Sequence, residues 1–361
     1  MNKETLNIRS RNEYWIKEFK ETRVGKIPII STKLNGKDNI DNIKARLGNF
    51  RNNYRIHPGL YCAGDPNEKS PVLVTSNYKL TFDTLRRELD NINCWIMVLD
   101  TYGINVWCAA GKGTFGTSEL IKRVNDVRLN EIIDHRKIIL PQLGAPGVSA
   151  HQVKKESGFK VVYGPVRARD INAFLRNDLR KDLQMRTVTF NLRERLAIIP
   201  LELVFALPTL LLVYIIVFVL DWVSDGGINI GRVFLDYIPF LSAVIAGGIA
   251  VPLFLPFIPA RSFSIKGLMA GIVAAVSVNA YFHPLLVNGI FNFLLITTTA
   301  TLFGLTYTGS TPYTSVSGVT REVKLAFRIL MPLLVVSIFG ELALKLSQSE
   351  NFGPLLHNIF K

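Results

Sequence analysis

Apolar and polar positions divide the chain near residue 195. Beyond it lie five apolar stretches, roughly Leu196–Leu220, Val233–Ile258, Ile265–Phe282, Leu285–Thr306 and Val323–Leu346. A helix of about 20 apolar residues is enough to cross hydrocarbon. Polar or turn-forming segments such as Asp221–Arg232 and Tyr307–Thr320 separate them, which predicts an up-and-down bundle. Before residue 195 the apolar runs are shorter. Pro71–Thr75, Cys94–Asp100, Lys137–Leu140 and Phe159–Tyr163 read as strands, and Thr81–Asp90, Ser118–Val127, Val148–Ser157 and Ala168–Asn177 as helices. This alternation predicts a parallel α/β sheet with helices on both faces. Residues 1–45 are polar and weakly patterned, an expected irregular lead-in with a short helix near Glu13–Glu21. The predicted organisation is that lead-in, an α/β domain over 46–190, a transmembrane domain over 191–350 and a tail over 351–361.

Charge follows the same division. Of 42 Lys+Arg and 28 Asp+Glu, residues 1–195 hold 34 and 21, a net +13. A basic surface suits nucleic acid, anionic lipid or an acidic partner. No helix-turn-helix, zinc-finger or aromatic-interleaved basic motif is present, so nucleic acid is excluded as a partner. A domain tethered beside an anionic leaflet gains from positive charge, and membrane lipid is the expected partner. Arg193 and Arg195 precede the first span, Arg261 and Lys266 flank the second loop, and Arg321 and Lys324 flank the fourth. The positive-inside rule then places the first domain in the cytosol and the C-terminus outside a cytoplasmic membrane crossed several times. The opening residues form no apolar core of a signal peptide. Glu202, Asp236, Asn279, His283 and Glu341 are the polar residues nearest membrane depth. All lie near predicted ends, so anchoring is the expected role of the bundle. Gly267-x-x-x-Gly271 fits close helix packing.

In a sheet of the predicted kind, ligands bind beyond the carboxyl ends of the strands. Four of those ends carry Gly, Pro, Asn or Thr loops: Asn77–Asp83, Tyr102–Gly116, Gln142–Gly147 and Gly164–Arg167. Their exposed amides suit a large, flat, polar-edged ligand. Gly111-Lys-Gly113-Thr-Phe-Gly116 matches a dinucleotide fingerprint in letters only. About ten residues separate it from the strand it should follow, and Glu131 precedes the next strand instead of ending it. Nor does it close a Walker loop, which needs Gly where Val106 stands and Ser or Thr where Gly113 stands.

The three cysteines, Cys62, Cys94 and Cys108, show no C-x-x-C spacing, so no iron–sulfur cluster is expected in this chain. A lone Cys beside Trp and two Ala is often a packed core residue. The neighbours of Cys108 favour another reading. Asn105 is a good N-cap, and Val106–Ala110 reads as a short helix closed by Gly111. Cys108 then lies in the first turn, where backbone amides favour an anionic sulfur, with Lys112 at i+4. Such a sulfur is a soft metal ligand or a nucleophile. No His or Asp partner stands at a hydrolase spacing.

Asn105-Val-Trp-Cys-Ala-Ala-Gly-Lys112 resembles the signature N-(V/I)-W-C-A-(A/G)-G-K of the mercury-methylating corrinoid proteins of anaerobic microbes at all eight positions. The resemblance extends through Pro58–Tyr61, Asn77–Asp83, Gln142–Gly147 and Val162–Arg167, and through the order of the two domains, over about residues 50–350. It implies a Rossmann-like corrinoid-binding domain, relative of the corrinoid iron–sulfur protein large subunit, followed by an all-α transmembrane bundle of about five helices. It makes Cys108 the catalytic residue and the lower axial ligand of the corrinoid cobalt, with Asn105, Trp107 and Lys112 shaping a cap helix. Asn77, Thr81, Gly144, Pro146, Gly147, Gly164 and Pro165 would line the cofactor.

The implied reaction is methyl transfer from cobalt to Hg(II), giving methylmercury. Mercury(II) is an electrophile and takes methyl with its bonding electrons, leaving Co(III). A trans thiolate donates density that stabilises the oxidised metal, as cysteine does for haem iron. Return to Co(I) implies an electron donor, and the family pairs with a ferredoxin-like protein carrying two 4Fe–4S clusters. The methyl donor would be a methylated pterin or its protein carrier. Two further readings stand beside this one: a corrinoid methyl carrier with another acceptor, and a non-enzymatic membrane receptor or transporter with an α/β ligand-binding domain.

Overall fold

A computed structural model describes residues 13–47, 54–225, 227, 229–309, 316–347 and 349. It separates into two compact units at Thr189/Phe190.

The first unit is built on a seven-stranded sheet. Its strands are β1 (Ile16–Thr22), β2 (Gly25–Ile30), β3 (Gly59–Ala63), β4 (Val72–Ser76), β5 (Cys94–Leu99), β6 (Lys137–Leu140) and β7 (Lys160–Tyr163), in the order β1-β2-β3-β5-β4-β6-β7. Every residue of β3, β4 and β5 is buried. That is why they read as continuous runs without alternation, as strands covered on both faces do. β4 through β7 are mutually parallel. β3 runs antiparallel to β5, and β1 and β2 form an antiparallel hairpin at the sheet edge. The sheet is therefore mixed, where sequence predicts a parallel one.

Residues 16–47 also differ from the expected lead-in. The segment near Glu13–Glu21 is largely strand, and α1 (Gly36–Leu47) follows the hairpin. Helices α2 (Lys79–Arg87), α3 (Val106–Lys112), α4 (Thr117–Asp126), α5 (Ala150–Ser157) and α6 (Ile171–Arg176) complete the layers. One face of the sheet packs Val74, Met97 and Leu140 against Ala109, Phe115, Leu120 and Val153. The other packs Leu73, Ile96 and Ile139 against Phe82, Leu85 and Phe174. The chain leaves β4 towards the second face and β6 towards the first. These adjacent strands thus open a crevice between their carboxyl ends, where ligands of such sheets bind.

The second unit holds five helices long and apolar enough to cross a membrane, Leu192–Ser224, Ile230–Leu253, Phe263–Phe282, Leu286–Thr306 and Gly318–Ser347. The second contains a π-turn over Ala246–Ala250. Gly267 and Gly271 face the fourth helix so closely that an added Cβ would stand 2.8 Å from Thr301 Cα and 2.9 Å from Thr297 Cα. The glycine spacing therefore serves packing inside the bundle.

Two basic residues used above for orientation have a further task. Arg195 Nη1 donates to the Leu253 carbonyl at 2.7 Å, and Lys266 Nζ to those of Leu255 and Ile258 at 3.0 and 2.8 Å. Both are buried and satisfy carbonyls that the end of a helix leaves open. Of the polar residues near membrane depth, Asn279 Nδ2 donates to Gly289 O at 2.8 Å, His283 is the left-handed cap of its helix, and Asp236 ion-pairs with Lys345. Lys345 also pairs with the buried Asp221, a partner that sequence reading passed over.

Candidate functional site

A cavity of about 420 Å³ opens at the carboxyl ends of β4 and β6. Its floor is Leu73, Val74, Thr75, Ile139 and Leu140 from those strands. Tyr78, Leu80, Thr81, Thr84 and Leu85 form one wall, Gly164, Pro165, Val166, Ala168 and Ile171 another, and Asn105, Val106 and Trp107 from the start of α3 a third. The volume falls in the ordinary range for small-molecule sites. Its lining is dominated by apolar side chains, so an occupant is met there chiefly by apolar contact.

Helix α3 is a capped unit. Asn105 Oδ1 accepts from the Cys108 amide at 2.9 Å, and Gly113, at φ 81°, closes the helix in the left-handed conformation. Sequence reading ends the helix at Gly111; it runs to Lys112 because Gly113 supplies the positive φ that ends it. The loop before it is held by one side chain. Asn77 Oδ1 accepts from the Thr101 and Gly103 amides at 3.0 and 2.9 Å, while its Nδ2 donates to Asp100 at 2.9 Å. Asn77 is buried and spends its amide on this loop, so it organises α3 from behind and does not line the cavity.

Gly144 and Gly147 also sit behind the cavity wall. A Cβ on Gly144 would meet the Phe115 ring at 2.5 Å, and one on Gly147 the Phe115 carbonyl at 2.2 Å and Ala110 Cα at 3.0 Å. These glycines let the loop after β6 press on α3. Pro146 is exposed. Lys112 is exposed in the last turn of α3. Of the expected site residues, Asn105, Trp107, Thr81, Gly164 and Pro165 meet at the cavity. Cys108 follows Trp107, half-buried, and is not part of the cavity wall. Of the α2 wall, the sequence points to Thr81 but not to Leu80, Thr84 and Leu85. The signal for the wall was the i, i+1, i+4, i+5 spacing of Leu80, Thr81, Thr84 and Leu85.

The structure separates the cysteines. Cys62 on β3 and Cys94 on β5 are fully buried. Burial pushes the Cys62 thiol up to about 12 and the Cys94 thiol above its usual range too, so both stay protonated near neutrality. Cys108, on α3, is the half-exposed sulfur of the three. Among the described residues no cluster of three His, Cys, Asp or Glu is arranged around a metal, and no His lines the cavity. Alkylation at pH 8 is expected to modify Cys108 alone in the native protein and all three cysteines in denaturant, read by peptide mass spectrometry; prompt native labelling of Cys62 or Cys94 would contradict this burial.

Residues 48–175 match the family model described as CO dehydrogenase/acetyl-CoA synthase delta subunit. The chain is 34% identical over 131 residues to the acetyl-CoA decarbonylase/synthase complex subunit gamma of Methanocaldococcus jannaschii, covering 36% of this chain and 26% of that one. It is 33% identical over 126 residues to the same subunit of Methanopyrus kandleri, covering 34% and 27%. With the corrinoid/iron-sulfur protein large subunit of Moorella thermoacetica it shares 32% identity over 127 residues, covering 35% and 28%. The chain spans about a quarter of the length of these relatives. The likeness therefore concerns the sheet-bearing unit, which is related to corrinoid proteins.

Proposed function

We propose that this chain is a membrane-anchored corrinoid methyltransferase that methylates inorganic Hg(II), with the Cys108 sulfur as the lower axial ligand of cobalt. The observation that carries the reading is the setting of Cys108. It is the one cysteine outside the sheet, in the first turn of a helix capped at both ends, beside an apolar cavity at the strand tips. The donor set would suit a corrinoid: the ring would bring its own four nitrogens, and Cys108 is the sulfur that this chain could offer the cobalt. When bound, the cofactor would supply a transferable methyl group on cobalt.

The chain's own residues do the rest. Asn105 fixes the first turn of α3 and so the position of the sulfur. Trp107, Val106 and the wall of α2 give the cavity an apolar lining that would pack against an occupant. Lys112 adds positive charge one turn from the sulfur. Thr81, Gly164 and Pro165 would meet the cofactor; Asn77, Gly144 and Gly147 act by holding α3 and its neighbouring loop, with Pro146 at the outer edge of that loop. In this account the first unit is cytosolic and the second holds it to the cytoplasmic membrane, with the C-terminus outside. Electrons come from a ferredoxin-like protein with two 4Fe–4S clusters, and methyl groups from a methylated pterin or its protein carrier.

The names of the relatives favour a second reading, a methyl carrier of the same fold serving another acceptor. Anaerobic reconstitution of the full chain with a corrinoid, followed by a methylmercury assay, separates the two. Corrinoid absorbance with methylmercury supports the first. Absorbance with methyl turnover but no methylmercury supports the second, and absence of corrinoid absorbance overturns both.

A further inference from the structure

Helix α2 has two faces with different tasks. Leu80, Thr81, Thr84 and Leu85 border the cavity. On the other side, Lys79, Asp83 and Arg86 are fully buried, and the two cations meet Asp38 of α1, itself 1% exposed. Lys79 Nζ lies 3.0 Å from Asp38 and also pairs with Asp83. Arg86 Nε donates to Asp83 at 2.8 Å, Nη1 to the Ser31 carbonyl at 2.6 Å, and its remaining nitrogen to Asp38. The Tyr14 hydroxyl is 3.0 Å from Asp38 and 2.8 Å from Asp41. Tyr78, which borders the cavity at the head of α2, reaches the α1 carbonyl of Ala45 at 3.2 Å.

Buried charges of this kind are weak evidence for stability, because desolvation offsets their attraction, but they tolerate little change in geometry. Two cations and two carboxylates with shared hydrogen bonds admit few rotations of α2 about its axis. Asp38 and Ala45 lie outside the stretch 48–175 that matches the family model, whereas Tyr78, Lys79, Asp83 and Arg86 lie within it. The N-terminal segment thus completes the charge balance of a helix belonging to the matched domain.

We propose that α1 is a positioning clamp: through Asp38 and the Ala45 carbonyl it sets the rotation of α2, and with it the shape of the cavity. Only the affinity readout of its test rests on the corrinoid reading. The variants are Asp38→Asn and Tyr78→Phe in the full chain, with Asp38→Glu as the conservative control. In cofactor-free protein, amide exchange over Leu80–Leu85 is expected to quicken about tenfold while β4, β5 and β6 keep their protection, since local opening is separable from global unfolding. Corrinoid affinity should fall about tenfold, the scale of outer-shell changes at metal sites, and Asp38→Glu should recover part of both. If Asp38→Asn does not fold, Tyr78→Phe, which removes one hydroxyl, carries the test. Exchange over α2 within twofold of the parent, or quickened equally across the sheet, overturns the clamp. If the parent binds no corrinoid but α2 exchange still rises locally, the clamp stands and the function proposed above falls.

Discussion

Cys108→Ala is expected to reduce methylmercury formation by the reconstituted full chain to background, a loss of at least about 100-fold. Changes one shell away from a metal cost about 10–100-fold, and this one removes the protein's proposed donor. The fold should survive, because Cys108 is half-buried, alanine favours helix and Asn105 caps the same backbone amide. Yield per bound corrinoid and a thermal melt separate the two effects. Retention of full activity would refute axial thiolate catalysis. Cys108→His should bind corrinoid and turn over poorly, since imidazole donates less electron density than thiolate.

Gly147→Ala should produce the largest structural effect of any single methyl group near the site. Its Cβ would stand 2.2 Å from the Phe115 carbonyl and 3.0 Å from Ala110 Cα, both backbone atoms that cannot rotate aside. Overpacking of this severity costs about 3 kcal/mol, the upper end of the usual range. For a unit of this size that corresponds to a melting temperature lower by roughly 6–12 °C. The strain falls on α3, so alkylation of Cys108 should quicken as well. Gly36→Ala, where an added Cβ meets nothing within 4 Å, should leave both measurements unchanged. A Gly147→Ala protein that melts with the parent would mean that the loop after β6 does not press on α3.

Some elements were readable in sequence and others were not, for physical reasons. β4 through β7 stand within a residue or so of their expected bounds because parallel strands buried on both faces are short β-branched runs. The five long helices were readable because apolar runs of that length occur nowhere else in the chain. The sequence over β1 suggests a helix instead: Ile16-Lys-Glu-Phe-Lys-Glu-Thr is an edge strand whose charges face solvent, and Trp15, Ile16 and Phe19 repeat at helical spacing. β3, Gly59-Leu-Tyr-Cys-Ala, contains no β-branched residue and gave no strand signal.

At the site, the cap helix could be anticipated from Asn105 and its neighbours, but the tasks of the loop glycines could not. Gly144 and Gly147 read as places where backbone approaches a ligand; the partners they approach are Phe115 and Ala110, some 30 residues away in sequence. Asn77 likewise read as a ligand contact, and only its tertiary partners assign it to the loop before α3. The charged face of α2 is buried because Asp38, distant in sequence, lies beside it. Each of these depends on a residue distant in sequence, which local pattern does not record.

Cobalt-edge X-ray absorption of the anaerobically reconstituted full chain tests the Cys108 assignment most directly. The account predicts one sulfur scatterer in the cobalt's first shell, present in the parent protein and replaced by a lighter atom in Cys108→Ser. A first shell of nitrogen and oxygen alone in the parent, or a sulfur scatterer that persists in Cys108→Ser, would contradict it.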